Sequence, residues 1–442
     1  MDYIFSIPQQ YLYSGIVIFC LLLIAAAVSL AGNTEILKNY KTGKPVCYGG
    51  NLSDGLIKIP KRCKAAKLKM RGVWVATISN IDFHKHKKKA SFQKEYLEVV
   101  SNLAKNNFNT VIFQIRPSND AFYRSELNPW SRYLSGKEGE GISGFDPLKF
   151  MVEEAHRHNL EFHAWLNPYR VAGKTPLRKK AYLETLSPKN FARKHPGFVL
   201  EIPLDDGNYQ LILNPGEPEV IKFILDTVKE IAGNYNIDAI HFDDYFYPYK
   251  GIGDIDKKSY AQYNPEKLSL GDWRRKNVNT IIREVHASLK SLDRKVQFGV
   301  SPFGIWANKE SDPKGSLSKG AQSYSEQFAD SRLWVKEGWI DYIVPQLYWE
   351  FKHDVAPYAA LLDWWVDVAR KTKVNLYIGQ SVSRLGSAGA WKNSDELFDQ
   401  LRYNSKYKTV KGTVLFSYTS VFYPHNKCMR QGIKKVLNKW SK

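Results

Sequence analysis

The sequence predicts an α/β fold, a (β/α)8 TIM barrel with long loops after its strands, and three observations predict it. From Arg71 onward, short runs of β-branched and aromatic residues alternate with amphipathic stretches eight times. Such alternation implies right-handed βαβ units and a parallel sheet, and eight units suffice to close it. Connections before the strands are short, as in Asn106-Asn107-Phe108-Asn109, whereas those after the second to fifth strands are long. Length added after strands decorates the carboxyl-terminal mouth of a barrel, where catalytic groups sit. A doubly wound open sheet would carry a glycine-rich phosphate turn after its first strand, and residues 71–83 carry none.

The strands are expected at 72–78, 110–116, 161–166, 238–242, 296–301, 342–347, 376–381 and 413–418. Helical periodicity falls at 91–106, 147–158, 217–234, 272–290, 325–336, 357–371, 394–404 and 427–440. The helix at 217 has a clear start. Asn214-Pro215-Gly216 breaks the chain, and Glu217 and Glu219 suit the positive end of the helix dipole.

Ahead of the barrel, an apolar run at 16–28 is followed by Ser29-Leu30-Ala31-Gly32. It is short for a membrane span and suits a signal-peptide core. Residues 1–15 lack Lys and Arg and contain Asp2, so an uncleaved N-terminal anchor is the alternative. The expected division is a signal peptide or anchor at 1–31, a basic lead-in at 32–70 and the barrel at 71–442. The expected destination is outside the cytoplasm: periplasm, cell envelope or medium. Cys47 and Cys63 are close enough in sequence for a local disulfide, which would leave Cys428 over, and no C-x-x-C pair suggests zinc.

Hydrophobic residues at 43% and charged residues at 24% exclude a mainly disordered chain. Twelve Trp and 26 Tyr suit either a sugar-stacking cleft or a large core. A net charge of +20 favours anionic partners such as an acidic wall polymer. The basic run at 84–89 reads as wet surface, so nucleic acid is not expected as a partner. A monomer is expected. G-x-S-x-G, Walker and H-E-x-x-H motifs are absent, and neither a metal nor another cofactor is called for.

The fourth strand carries the most chemistry. In Asp238-Ala239-Ile240-His241-Phe242-Asp243-Asp244-Tyr245, alternation puts His241 and Asp243 on the face opposite Ile240 and Phe242, so Asp243 should point into the mouth. A carboxylate buried beside a second one is costly unless chemistry uses it. The bland reading is a strand-end turn with two solvated acids. On the second strand Ile112, Gln114 and Arg116 share a face and lead to Asp120. Arg116 is a substrate fork or a rim salt bridge. On the third strand His163, Trp165 and Asn167 share a face, with Tyr169 following, and an inward His is as often a core residue. The sixth strand brings Gln346, Tyr348 and Glu350 together beside Trp349. Ser301 and Trp306 follow the fifth strand, Trp306 as a stacking ring or as packing under its loop.

Taken together, several segments resemble the glycosyl hydrolase-like 10 proteins from Arg71 to about residue 425. They are Arg71-Gly72-Val73-Trp74-Val75-Ala76-Thr77, Phe113-Gln114-Ile115-Arg116-Pro117, Ala164-Trp165-Leu166-Asn167-Pro168-Tyr169-Arg170, His241-Phe242-Asp243-Asp244-Tyr245-Phe246-Tyr247-Pro248, Gly299-Val300-Ser301-Pro302-Phe303-Gly304 and Pro345-Gln346-Leu347-Tyr348-Trp349. The resemblance implies a barrel glycosidase exported from the cytoplasm, with the glycan strands of peptidoglycan as one substrate. The strand-four segment is also distantly similar to the α-amylase pattern that carries the nucleophile, which selects Asp243, although His241 stands where that pattern has Arg.

Glycoside hydrolysis needs one carboxyl group as acid and a second as nucleophile or base. Asp243 is the candidate nucleophile or base and Glu350 the candidate acid, with Asp244 and Asp120 in reserve. Gln114, Arg116, Asp120, His163, Asn167, His241, Tyr245, Ser301, Gln346 and Tyr348 are candidates for binding sugar hydroxyls, and Tyr169, Trp306 and Trp349 for stacking. Two rival functions are a non-catalytic envelope-binding module and a metal-dependent polysaccharide deacetylase built on His163, His241 and Asp243.

Overall fold

A computed structural model describes residues 33–63, 68–249 and 251–440. The expected signal peptide or anchor at 1–31 lies outside the described residues.

Eight parallel strands close into a barrel. They are β1 (Met70–Val75), β2 (Thr110–Arg116), β3 (Glu161–Leu166), β4 (Ala239–Phe242), β5 (Gln297–Val300), β6 (Tyr342–Ile343), β7 (Asn375–Ser381) and β8 (Val410–Phe416). Each pairs with its sequence neighbours, and β8 returns to β1 with Gly412 beside Met70. The helices that cover it are α1 (Lys89–Lys105), α2 (Pro147–Arg157), α3 (Pro218–Asn234), α4 (Leu270–Lys290), α5 (Ser331–Glu337), α6 (Tyr358–Ala369), α7 (Glu396–Asn404) and α8 (Lys427–Trp440).

Local chemistry sets the boundaries. Asp146 caps α2 by accepting the Lys149 amide at 3.3 Å, and Pro147 occupies the first turn, where its missing N–H costs nothing. Helix α5 starts later than periodicity suggests because Asp330 caps it through the Leu333 amide at 3.2 Å. Strand β6 is shorter than expected because Pro345 has no amide to continue the ladder.

Two apolar cores result. Trp74, Ile112, Trp165, Ala239, Tyr342, Val344, Tyr377 and Val414 fill the barrel interior. The outward residues, such as Val73, Val111, Phe113, Phe162, Ile240 and Phe298, pack under the helices. Gly299 makes the interior layer possible, since a Cβ there would fall 1.9 Å from the Tyr342 ring.

Two features were not legible in the sequence. The long connection after β3 folds into a three-stranded antiparallel sheet of Arg170–Thr175, Tyr209–Leu213 and Val199–Pro203, with the second strand in the middle. The described residues of the lead-in also fold against the barrel. Thr34–Ile36 pairs with Lys58–Pro60, and Leu37, Val46, Ile57 and Ile59 are buried in the outer core. Arg402 of α7 donates to the Pro60 carbonyl at 2.8 Å, and the Tyr48 hydroxyl donates to Asp363 of α6 at 2.9 Å. Cys47 and Cys63 form no disulfide with each other, and Cys63 Sγ lies 3.8 Å from the Leu401 carbonyl oxygen.

Candidate active site

The carboxyl-terminal mouth holds a cavity of about 200 Å³. Asp243 and Asp244, at the end of β4, form part of its wall together with Gln114, Arg170, Ser301 and Gln346. Trp74, Trp165, Tyr245, Tyr249, Tyr348 and Phe416 supply the aromatic wall. Alternation along β4 turns Asp243 inward as expected, and the chain bends at Asp244, so both acids reach the same space.

Asp243 is held from three sides. Trp165 Nε1 donates to Oδ2 at 3.0 Å, Asn167 Nδ2 donates to both oxygens at 3.0 Å, and the Tyr245 amide reaches Oδ1 at 3.3 Å. Burial raises its pKa, while the charge of Arg170 and these hydrogen bonds favour the ionised form. Asp244 takes a hydrogen bond from the Tyr249 hydroxyl. Burial, and after it the charge of Asp243, push Asp244 up to about 7. The pair therefore combines one carboxylate surrounded by donors with one carboxyl group that holds its proton near neutrality, a division of labour that acid–base catalysis requires. Arg170 stacks 4.3 Å from the Tyr245 ring centroid and donates to the Pro117 carbonyl at 3.0 Å.

Seven predicted site residues line this cavity: Gln114, Asp243, Asp244, Tyr245, Ser301, Gln346 and Tyr348. Trp349 lies nearby, edge-on to Phe303, which meets Tyr249 in turn. Asn167 supports Asp243 from behind.

The others sit elsewhere, each for a physical reason. Glu350 points away: its carboxylate accepts the Ala390 amide at 2.5 Å and the Trp391 amide at 3.3 Å, capping the short helix Gly389–Lys392. Arg116 leaves the inward face because a bulge at Ile115 sets it opposite Leu166 while Gln114 faces Trp165. Its guanidinium braces loops instead, donating to Asn167 O at 2.8 Å, Asn119 Oδ1 at 2.8 Å and Asn128 Oδ1 at 3.2 Å. Asp120 is buried in the loop after β2, accepting the Ser118 amide at 3.0 Å. Burial first, then the charge of Glu138, raises it to about 6. Tyr169 packs in the outer core against Phe246. Trp306 is fixed by Asp330 at 2.9 Å and stacks on Trp364.

His163 and His241 lie beneath the mouth. Both bond the Tyr342 hydroxyl, at 2.8 and 3.0 Å, and His241 Nε2 also meets Ser301 Oγ at 3.0 Å. Burial pushes His241 far below its usual pKa, so it stays neutral. The proposed trio of His163, His241 and Asp243 does not converge. Among the described residues no group of three or more His, Cys, Asp or Glu is arranged to hold a metal ion.

Arg170, Trp165, Trp74 and Tyr249 are site residues that sequence reasoning did not assign. Trp165 shares inward parity with His163 and Asn167, so alternation was the signal available for it, whereas the first strand, which carries Trp74, held no candidate. Arg170 enters at the start of the inserted antiparallel sheet and Tyr249 from the loop after β4, neither of which the barrel periodicity marks.

A closed parallel barrel with a buried acid pair among aromatic rings at its carboxyl-terminal mouth has the layout of a barrel glycosidase. Comparison with known proteins gives the same class. The chain belongs to the glycosyl hydrolase-like 10 family, whose model matches residues 69–399, and it is a glycosidase. It is 41% identical over 372 residues to glycosyl hydrolase YngK of Bacillus subtilis (strain 168), covering 82% of this chain and 71% of that one. It is 34% identical over 403 residues to glycosyl hydrolase DigH of Escherichia coli (strain K12), covering 87% and 90%. Among solved structures, the catalytic domain of β-amylase from Paenibacillus polymyxa shares the barrel fold, with a TM-score of 0.52 at 12% identity over 85% of this chain and 99% of that one.

Proposed function

We propose that this glycosidase cleaves the glycan strands of peptidoglycan outside the cytoplasm, with Asp244 as the general acid and Asp243 as the second carboxylate. One observation carries the reading: the acid pair at the end of β4 shares one cavity, and its second member titrates near neutrality. Asp244 protonates the leaving oxygen. Asp243, oriented by Trp165 and Asn167, faces the oxocarbenium-like transition state as nucleophile or as base toward water. Asp244 thereby takes the role that sequence reasoning gave to Glu350, whose carboxylate is committed to backbone amides. Gln114, Gln346 and Ser301 offer polar groups to sugar hydroxyls, and the aromatic wall offers ring faces. A basic protein suits an anionic wall, which supports the choice of polymer.

The test is incubation of the protein, Asp243→Asn and Asp244→Asn with intact and with peptide-stripped peptidoglycan, followed by mass analysis of the products. Soluble oligosaccharides are expected from the unaltered protein alone. Turnover by Asp243→Asn at the unaltered rate would overturn the assignment. Binding without cleavage by the unaltered protein would point instead to a non-catalytic module.

A further inference from the structure

Five side chains form one hydrogen-bonded line through the barrel interior, from the catalytic cavity to the opposite end. Ser301 lines the cavity, and its hydroxyl meets His241 Nε2 at 3.0 Å. His241 Nδ1 lies 3.0 Å from the Tyr342 hydroxyl, which lies 2.8 Å from His163 Nδ1. His163 Nε2 lies 3.2 Å from the carboxylate of Glu161. Glu161 is the first residue of β3, and its side chain is half exposed at the far end of the barrel. The two histidines and Tyr342 are fully buried. Strand parity builds the line: His163 and His241 turn inward on the paired strands β3 and β4, and Gly299 leaves room for the Tyr342 ring.

One donor orients every proton in it. Trp74 Nε1 lies 3.3 Å from His241 Nε2. An indole nitrogen can donate but cannot accept, so His241 Nε2 carries no proton. Burial disfavours the His241 cation, so the ring holds one proton, on Nδ1, and gives it to the Tyr342 oxygen. Tyr342 in turn donates to His163 Nδ1, which leaves the His163 proton on Nε2, facing Glu161. The Ser301 hydroxyl donates to His241 Nε2, since its alternative acceptor, the Phe242 carbonyl, is 3.5 Å away. Each gap then holds one proton, and all point from the cavity toward Glu161. The reverse order would set a proton on His241 Nε2 against the Trp74 N–H.

The cavity feels the result at Ser301. With its hydrogen turned to His241, the Ser301 hydroxyl presents only oxygen lone pairs to a ligand. Its carbonyl accepts Gln346 Nε2 at 3.0 Å, and Gln346 also bonds Asp244, so this acceptor stands beside the acid pair.

We propose that Glu161 is a positioning residue for substrate, holding the Ser301 hydroxyl through His163, Tyr342 and His241 as an acceptor for a donor group on the sugar. The proposal rests on the mouth being where the glycan binds, but not on which acid protonates the leaving oxygen.

Nitrogen NMR of the histidine rings tests the line in the unaltered protein. His241 should be protonated on Nδ1 and His163 on Nε2, and the same tautomer in both rings would overturn the proposal. Affinity for peptide-free peptidoglycan glycan strands, read from quenching of tryptophan emission, needs no turnover. Glu161→Leu should weaken it about tenfold, because the buried His163 N–H loses its acceptor. Glu161→Gln, whose carbonyl oxygen still accepts, should stay within about twofold. Ser301→Ala should weaken binding about tenfold, and adding Glu161→Leu to it should change that by less than about twofold. Equal losses in the Leu and Gln variants, losses that multiply in the double variant, or no binding by the unaltered protein would each overturn the proposal. Strands bound with the expected dependence but never cut would sink the hydrolytic reading and leave the line standing; strands cut without that dependence would do the reverse.

Discussion

Asn167 gives its amide group to both carboxylate oxygens of Asp243, each at 3.0 Å, while its own carbonyl oxygen receives the Arg170 amide at 2.9 Å. One side chain thus orients the buried acid and fixes the chain that carries the nearby cation. Asn167→Ala should lower kcat by about 10- to 100-fold, a loss typical of removing one preorganised donor. It should also move the acidic limb of the pH–rate profile upward, because a hydrogen bond to the ionised form is lost. Steady-state kinetics across pH checks both.

Asp244 makes the opposite demand on pH. Its folded-state pKa of about 7 lies above the ordinary value of 3.8, so the native protein holds this proton more tightly than the unfolded chain does. That contribution is fully present below about 4 and is lost as pH rises through about 7. The alkaline limb of activity should therefore fall near 7. Asp244→Asn should abolish turnover and raise stability at pH 8 by roughly 1–3 kcal/mol, since no buried charge then forms. Denaturant unfolding at pH 5 and 8 measures the difference.

Glu350 offers a test that separates scaffold from chemistry. Glu350→Gln keeps an acceptor oxygen for the Ala390 and Trp391 amides and should leave kcat within about twofold. Glu350→Ala should cost about 1–2 kcal/mol of stability by stripping the Gly389–Lys392 turn of its cap. A 100-fold loss of kcat in the Gln variant would return the acid role to Glu350.

Gly299 is required by its neighbour across the barrel. A methyl group there would overlap the Tyr342 ring, which lies beneath the mouth and bonds both His163 and His241. Gly299→Ala should destabilise by about 3 kcal/mol, the range of severe overpacking. Thermal unfolding reads the effect directly.

Period-two and period-3.6 patterning made the barrel readable, because both cores demand it; β2 and β3 have the expected limits, and Asp243 has the expected direction. The errors arise where patterning stops. A single bulge at Ile115 reverses parity for Arg116 and turns an expected sugar ligand into a loop brace. Glu350 is engaged by amides forty residues further on, a pairing that no local pattern encodes. Arg170 reaches the mouth on a sheet inserted after β3, and Tyr249 on the loop after β4. Their positions depend on tertiary folding rather than spacing.

The short hairpin of Thr34–Ile36 and Lys58–Pro60 bears on how far the enzyme can be trimmed. Leu37, Val46, Ile57 and Ile59 share the outer core with the barrel's helices. A fragment beginning at Arg71, where the barrel pattern starts in the sequence, would uncover the flank of α6 and α7 that these residues seal. Such a fragment should come out insoluble or poorly folded, so a workable enzyme keeps the hairpin from about residue 33 onward rather than starting at the first barrel strand.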